Sequence, residues 1–154
     1  MTEDARFEDA YEAPLRLQAL DADDLQVLSA LVQDAVFPVT EITWQPSKRR
    51  LGLLLNRFRW EESGRRTPER VQSLLVVNDV LAVASSGIDR SEKDTILSLL
   101  SLGFEPGEDG TGQVLLTLAG DGALRARVET LDVALKDVTR PYVAPSGRRP
   151  GHPD

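Results

Sequence analysis

The chain of 154 residues has no cysteine, one histidine, one methionine and only 5% aromatic residues. Without cysteine there is no disulfide framework, no thiolate metal site and no thiol nucleophile. The one histidine, His152, sits between Gly151 and Pro153 near the end of the sequence, in a stretch with no core to hold it. That removes the usual neutral-pH proton carrier from any packed site, and it leaves zinc and related ions without a ligand set. No cofactor or metal is expected. Long apolar runs are absent too: residues 74–77 and 80–84 fall far short of the roughly 20 residues that a membrane-spanning helix needs. The opening Thr2-Glu3-Asp4-Ala5-Arg6 is acidic and lacks the basic-then-apolar order of a secretory signal. A cytoplasmic protein without membrane contact is the expectation.

Hydrophobic residues make up 41% of the chain, enough for one core at this length, so a single domain is expected. The formal net charge of −7 argues against a polyanion-binding surface over the molecule as a whole. Its distribution is uneven. Residues 1–47 hold ten acidic and two basic side chains, whereas residues 48–70 hold eight basic and three acidic ones. Arginine supplies fifteen of the eighteen basic residues throughout the chain, so a compositional bias explains the excess as readily as phosphate recognition does.

Hydrophobic period and turn chemistry divide the chain. Residues 1–13 are polar and aperiodic and residues 141–154 are rich in proline and glycine, so both ends are expected to be flexible tails on a domain spanning 14–140. Residues 15–20 alternate as a short strand. Asp21 then offers an N-cap, Asp23 and Asp24 put negative charge in a first turn, and Leu25, Leu28, Leu31, Val32 and Ala35 recur at helical spacing, with Pro38 as the stop. Beyond it the period is two. Residues 39–44 and 51–60 read as a hairpin across Pro46-Ser47-Lys48-Arg49, with Trp44 opposite Trp60. Residues 71–77 and 80–86 read as strands joined by a tight Asn78-Asp79 turn, or as one long strand. Residues 96–104 read as a strand, with a helix from Ser91 as the rival. Residues 114–118 and 123–128 form a hairpin across Gly120-Asp121-Gly122. For residues 129–138 a short closing helix is preferred over a strand. The fold class is thus α+β: one N-terminal helix on a curved, mostly antiparallel sheet of six or seven strands, or plugging a partly open barrel.

Candidate chemistry is sparse. Asp21, Asp23 and Asp24 explain themselves as a helix cap, and Glu105, Glu108 and Asp109 as turn residues. The glycine-rich run 107–112 has no following lysine and carries two acidic residues, which suits a connector better than a phosphate cradle. The most suggestive stretch is Asn56-Arg57-Phe58-Arg59-Trp60, near Lys48-Arg49-Arg50 and Arg65-Arg66. On a strand Phe58 and Trp60 share one face and Arg57 and Arg59 the other. If the rings are exposed they can stack bases while the hairpin tip meets phosphate. If they are inward, this is a core strand with a solvated arginine side. Lys48, Arg49, Arg50, Arg57, Arg59, Trp60, Arg65 and Arg66 are therefore the candidate residues for nucleic acid or a partner. No catalytic residue is named. The leading functional expectation is a non-enzymatic accessory or interaction module, pairing with an unidentified protein or with itself through an edge strand. RNA or single-stranded nucleic-acid binding through 48–70 is one alternative. A small-ligand or enzymatic site, should Arg57, Arg59, Arg125 and Arg127 converge with carboxylates, is the other.

Four segments in order carry a family resemblance: Leu15-Arg16-Leu17-Gln18-Ala19-Leu20-Asp21-Ala22-Asp23-Asp24-Leu25, then Leu54-Leu55-Asn56-Arg57-Phe58-Arg59-Trp60-Glu61, then Leu97-Ser98-Leu99-Leu100 with Phe104-Glu105-Pro106-Gly107, and Gly120-Asp121-Gly122-Ala123-Leu124-Arg125. Together they resemble a bacterial family known as domain of unknown function 2948, over about residues 15–138. The resemblance implies a shared fold and no activity or functional residues.

Overall fold

A computed structural model describes residues 14–59, 69–89, 91–139 and 142–143. Trp60, Arg65 and Arg66, and both expected tails apart from Tyr142 and Val143, lie outside these residues. Leucine-rich segments of period two, punctuated by Asp, Gly and Pro, give eleven strands in one antiparallel sheet: β1 (Arg16–Ala19), β2 (Ala35–Pro38), β3 (Ile42–Gln45), β4 (Arg50–Phe58), β5 (Glu69–Val77), β6 (Val80–Ser86), β7 (Ile96–Pro106), β8 (Gly112–Leu118), β9 (Ala123–Val128), β10 (Val133–Asp137) and β11 (Tyr142–Val143). The single α-helix among the described residues, α1, spans Ala22–Leu31. The α+β expectation holds broadly. The expected six or seven strands become eleven: β2 falls in the expected span of the helix, β10 in that of the preferred closing helix, and β11 in the expected tail.

Strand order along the sheet is β1-β10-β5-β4-β2-β7-β8-β9-β6, with β3 also beside β4 and β11 beside β5. The path ends at β1 and β6, which do not pair, so the sheet is not closed among the described residues. Inward rows from both halves, including Leu51, Leu53 and Leu55 on one side and Val114, Leu116 and Leu124 on the other, meet in a single buried cluster. The sheet must therefore curl back over itself.

Asp21 caps α1 as expected: its Oδ1 accepts from the Asp24 amide at 2.8 Å, and Leu25 and Leu28 go into the core. On the sheet side, the Leu102 amide donates to Ser29 Oγ at 2.9 Å, fastening the helix to β7. The helix ends at Leu31 rather than at Pro38. Asp34 takes a left-handed conformation (φ 63°) and its amide donates to Leu99 O at 2.8 Å, turning Ala35–Pro38 into a strand against β7.

Both named hairpins form. In the first, Trp44 faces Leu51; the expected partner Trp60 lies outside the described residues. In the second, the positive φ angles fall on Gly120 (78°) and Asp121 (68°), one residue earlier than Asp-Gly chemistry indicates. Asn78-Asp79 makes no hairpin. Strands β5 and β6 lie in different halves of the sheet, and the chain changes sides at this corner. It crosses back at residues 129–132, between β9 and β10. The two crossings are tied together, with the Asn78 amide donating to Asp132 O and the Glu129 amide to Asp79 O, both at 2.9 Å. Residues 133–137 form β10 rather than a closing helix, since Val133 and Leu135 must point inward beside Val77 and Leu75. Residues 96–106 are a strand, as expected. Tyr142 and Val143 pair with Arg70 and Glu69 of β5.

Candidate functional site

The basic stretch is not one surface. Lys48, Arg49 and Arg50 lie exposed where β3 turns into β4, with Arg49 left-handed (φ 54°) and its guanidinium paired with Glu129. Arg57 and Arg59 are buried, at 0% and 4% exposure, and the expected solvated arginine side does not exist. Phe58 is buried as well, at 1%, so its ring offers no platform for a base. The alternation that points Leu51, Leu53 and Leu55 inward continues to Arg57, which is the signal that places this guanidinium in the core.

Arg57 finds its counter-ion 80 residues away. Its Nη2 donates to Asp137 Oδ1 at 3.0 Å and Oδ2 at 3.2 Å, and its Nε donates to Ser73 Oγ at 2.9 Å. Ser73 Oγ in turn donates to Asp137 Oδ1 at 2.6 Å, and the Leu15 amide to Asp137 Oδ2 at 2.9 Å. Arg57, Ser73 and Asp137 replace aliphatic residues at the same end of the inward rows of β4, β5 and β10. Such a bidentate pair is strong only where its remaining lone pairs and protons are met, as they are here. Next to it Arg59 Nη1 pairs with Glu69 Oε1 at 3.3 Å. Arg57, Ser73 and Asp137 are all buried. Their geometry is that of a register pin: sliding β10 by one residue would turn Asp137 outward and take the carboxylate from the guanidinium.

The arginines do not converge. Arg125 and Arg127 stand on β9, in the other half of the sheet, exposed beside β6. Arg125 Nη1 lies 3.1 Å from Gln113 Oε1 and 3.5 Å from Glu105 Oε2. Arg127 helps line an open groove of about 400 Å³ with Leu81, Gln113 and Thr111. A second groove, about 370 Å³, lies on the outer face of β4 and β5, with Leu54, Leu74 and Val76 as its floor and Arg50 and Glu41 at its rim. Among the described residues no group of three or more His, Asp or Glu side chains is placed to hold a metal ion. Among the same residues no helix is long and apolar enough to cross a membrane.

The edge strand β6 stands apart from these. Its sequence, Val80-Leu81-Ala82-Val83-Ala84-Ser85-Ser86, holds no charge and no proline, and among the described residues it pairs only with β9. Leu81, Ala82, Ala84, Ser85 and Ser86 are exposed, including Ser85, whose partner Leu124 is completely buried. At its start the Val80 amide points away from β9 and donates to Arg49 O at 2.8 Å. A bulge between Val80 and Ala82 shifts the register there. Antiparallel alternation then directs the amides of Val83 and Ser85 to the open side. Sequence reading foresaw an edge without locating it, because strand order is what makes β6 terminal.

In comparisons with known proteins, residues 15–152 match a family model described as "Protein of unknown function (DUF2948)". No curated protein and no solved structure matches the chain.

Proposed function

The chain belongs to the DUF2948 family, and because that membership carries no activity with it, we propose from the geometry that the domain is a non-enzymatic interaction module that recruits an extended segment to the open edge of β6. The observation that supports this reading is a seven-residue edge strand without charge or proline. Sheet proteins ordinarily protect such an edge with lysine, proline, a bulge or a covering element. Among the described residues the only such device is the bulge at Val80 and Ala82, which leaves Val83 to Ser86 regular. The opposite edge is protected: β1 is four residues long, carries Arg16 and has α1 beside it. Main-chain hydrogen bonds to an added strand supply affinity without any catalytic group.

The test uses Ser85→Pro, which removes one open-side amide and leaves the β9 pairing intact. Tagged full-length wild type and variant are compared by sedimentation and by capture from lysate, with circular dichroism as the folding control. The expected result is a partner or second copy held by wild type and released by the variant at an unchanged thermal transition. Identical behaviour of the two proteins overturns the reading.

A further inference from the structure

The side chains around β6 select what can add to it, an inference that rests on the edge-strand reading above. On the outward face, Ala82 is paired with Arg127 and Ala84 with Arg125, so two guanidiniums stand one strand in from the edge at alternate positions. Both alanines are too small to cover them. A strand added to β6 lies two strand spacings from β9, roughly 9.6 Å. An arginine leaning over an alanine and a glutamate leaning back span that gap, whereas a lysine on the added strand would face like charge. Arg125 is partly engaged by Glu105 and Gln113. Arg127 makes no side-chain hydrogen bond among the described residues and stands beside the bulged Leu81 in the groove that also contains Gln113 and Thr111. We propose that β6 binds an extended segment of a partner protein carrying carboxylates at alternate positions, with Arg127 as the main reader of charge.

A second copy of this chain fits less well. Two β6 strands paired about a two-fold axis bring Arg125 and Arg127 of both copies to one face, and β6 itself has no carboxylate to offset them. The acidic residues nearest the strand lie beyond its ends. Asp79 and Glu129 are at the start, Glu129 already paired with Arg49, and Asp89 and Asp121 are past the finish. The charge pattern therefore places the partner's carboxylates over Ala82 and Ala84.

The experiment uses the full chain and three fluorescent peptides long enough to span β6, alternating Thr-Glu, Thr-Gln or Thr-Lys, titrated by anisotropy at low and high salt. Wild type is expected to hold the Thr-Glu peptide at least about tenfold tighter than the Thr-Lys peptide, with the difference shrinking in salt. Arg127→Glu, at an exposed position, is expected to invert the order. Equal affinities for all three peptides, each lost in Ser85→Pro, overturn the carboxylate preference and leave the edge reading standing. A Thr-Glu preference that survives Ser85→Pro overturns both. Absence of binding by every peptide overturns the acidic-segment proposal, and the sedimentation comparison then decides the edge reading independently.

Discussion

Replacing Asp137 by alanine takes the carboxylate away from the buried guanidinium of Arg57. In the native domain that group is completely buried and meets both carboxylate oxygens at 3.0 and 3.2 Å, together with Ser73 Oγ at 2.9 Å. In Asp137→Ala the guanidinium loses both carboxylate contacts while keeping Ser73 Oγ, and the Leu15 amide loses its acceptor. Removing one partner of a buried pair costs about 3–5 kcal/mol, against about 5–15 kcal/mol of total stability for a typical domain. At about 2–4 °C per kcal/mol for a chain of this size, the thermal midpoint should fall by about 6–20 °C. The assay is urea unfolding followed by circular dichroism, run as a cycle with Arg57→Met and the double variant. Arg57→Met alone strands the carboxylate and should also be costly. The double variant should recover much of the loss, because an apolar pair of similar volume often matches a buried ion pair. Two single losses below about 1 kcal/mol, or losses that simply add in the double variant, would refute the coupling drawn from these distances.

Substitutions elsewhere probe smaller parts of the structure. Gly112→Ala should cost about 1–3 kcal/mol in urea unfolding, because an added Cβ would lie 2.5 Å from Glu105 O and 2.6 Å from the Phe104 ring; a neutral result would show that this end of β7 and β8 yields freely. Asp21→Ala should cost about 1 kcal/mol by loss of the cap on the Asp24 amide, while Asp21→Asn, which keeps the acceptor, should cost little; equal losses would remove the capping account. The Asp89 carboxyl is held below the usual aspartate range chiefly by the Ser91 hydroxyl at 2.6 Å and the Ser91 amide at 2.9 Å. A carboxyl depressed in the folded state adds stability above its unfolded pKa and loses it as pH falls through the folded value. Its resonance should accordingly titrate at lower pH than a free aspartate and move back up in Ser91→Ala; an unmoved titration would refute the hydroxyl's part. Breaking the exposed Arg49–Glu129 pair with Glu129→Gln should change stability by no more than about 1 kcal/mol.

Local rules carried the reading wherever one segment's chemistry was decisive. Asp21 with Asp23 and Asp24 marked α1, and Pro46-Ser47-Lys48-Arg49 and Gly120-Asp121-Gly122 marked two hairpins. These rules failed where partners are distant. Asn78-Asp79 has turn composition, but the path of the chain beyond it depends on which strand offers free hydrogen bonds to residues 80–86, and that strand is β9. Residues 133–137 fit both periods, and the free edge of β5 settled them as a strand.

The candidate site divides in the same way. A lack of cysteine and a lone histidine near the end of the sequence are properties of the sequence by itself, and they direct attention from catalysis to pairing, without saying which strand is the edge. Read alone, the arginine-aromatic stretch at 56–60 pointed to a solvated surface. Tertiary structure buried Arg57 against Asp137 and Ser73 and put Arg125 and Arg127 beside an open edge. Composition and short-range period set which segments can be strands, since each responds to its own backbone and neighbours. Strand order determines which of them ends the sheet and which charge meets which, because those contacts join residues tens of positions apart.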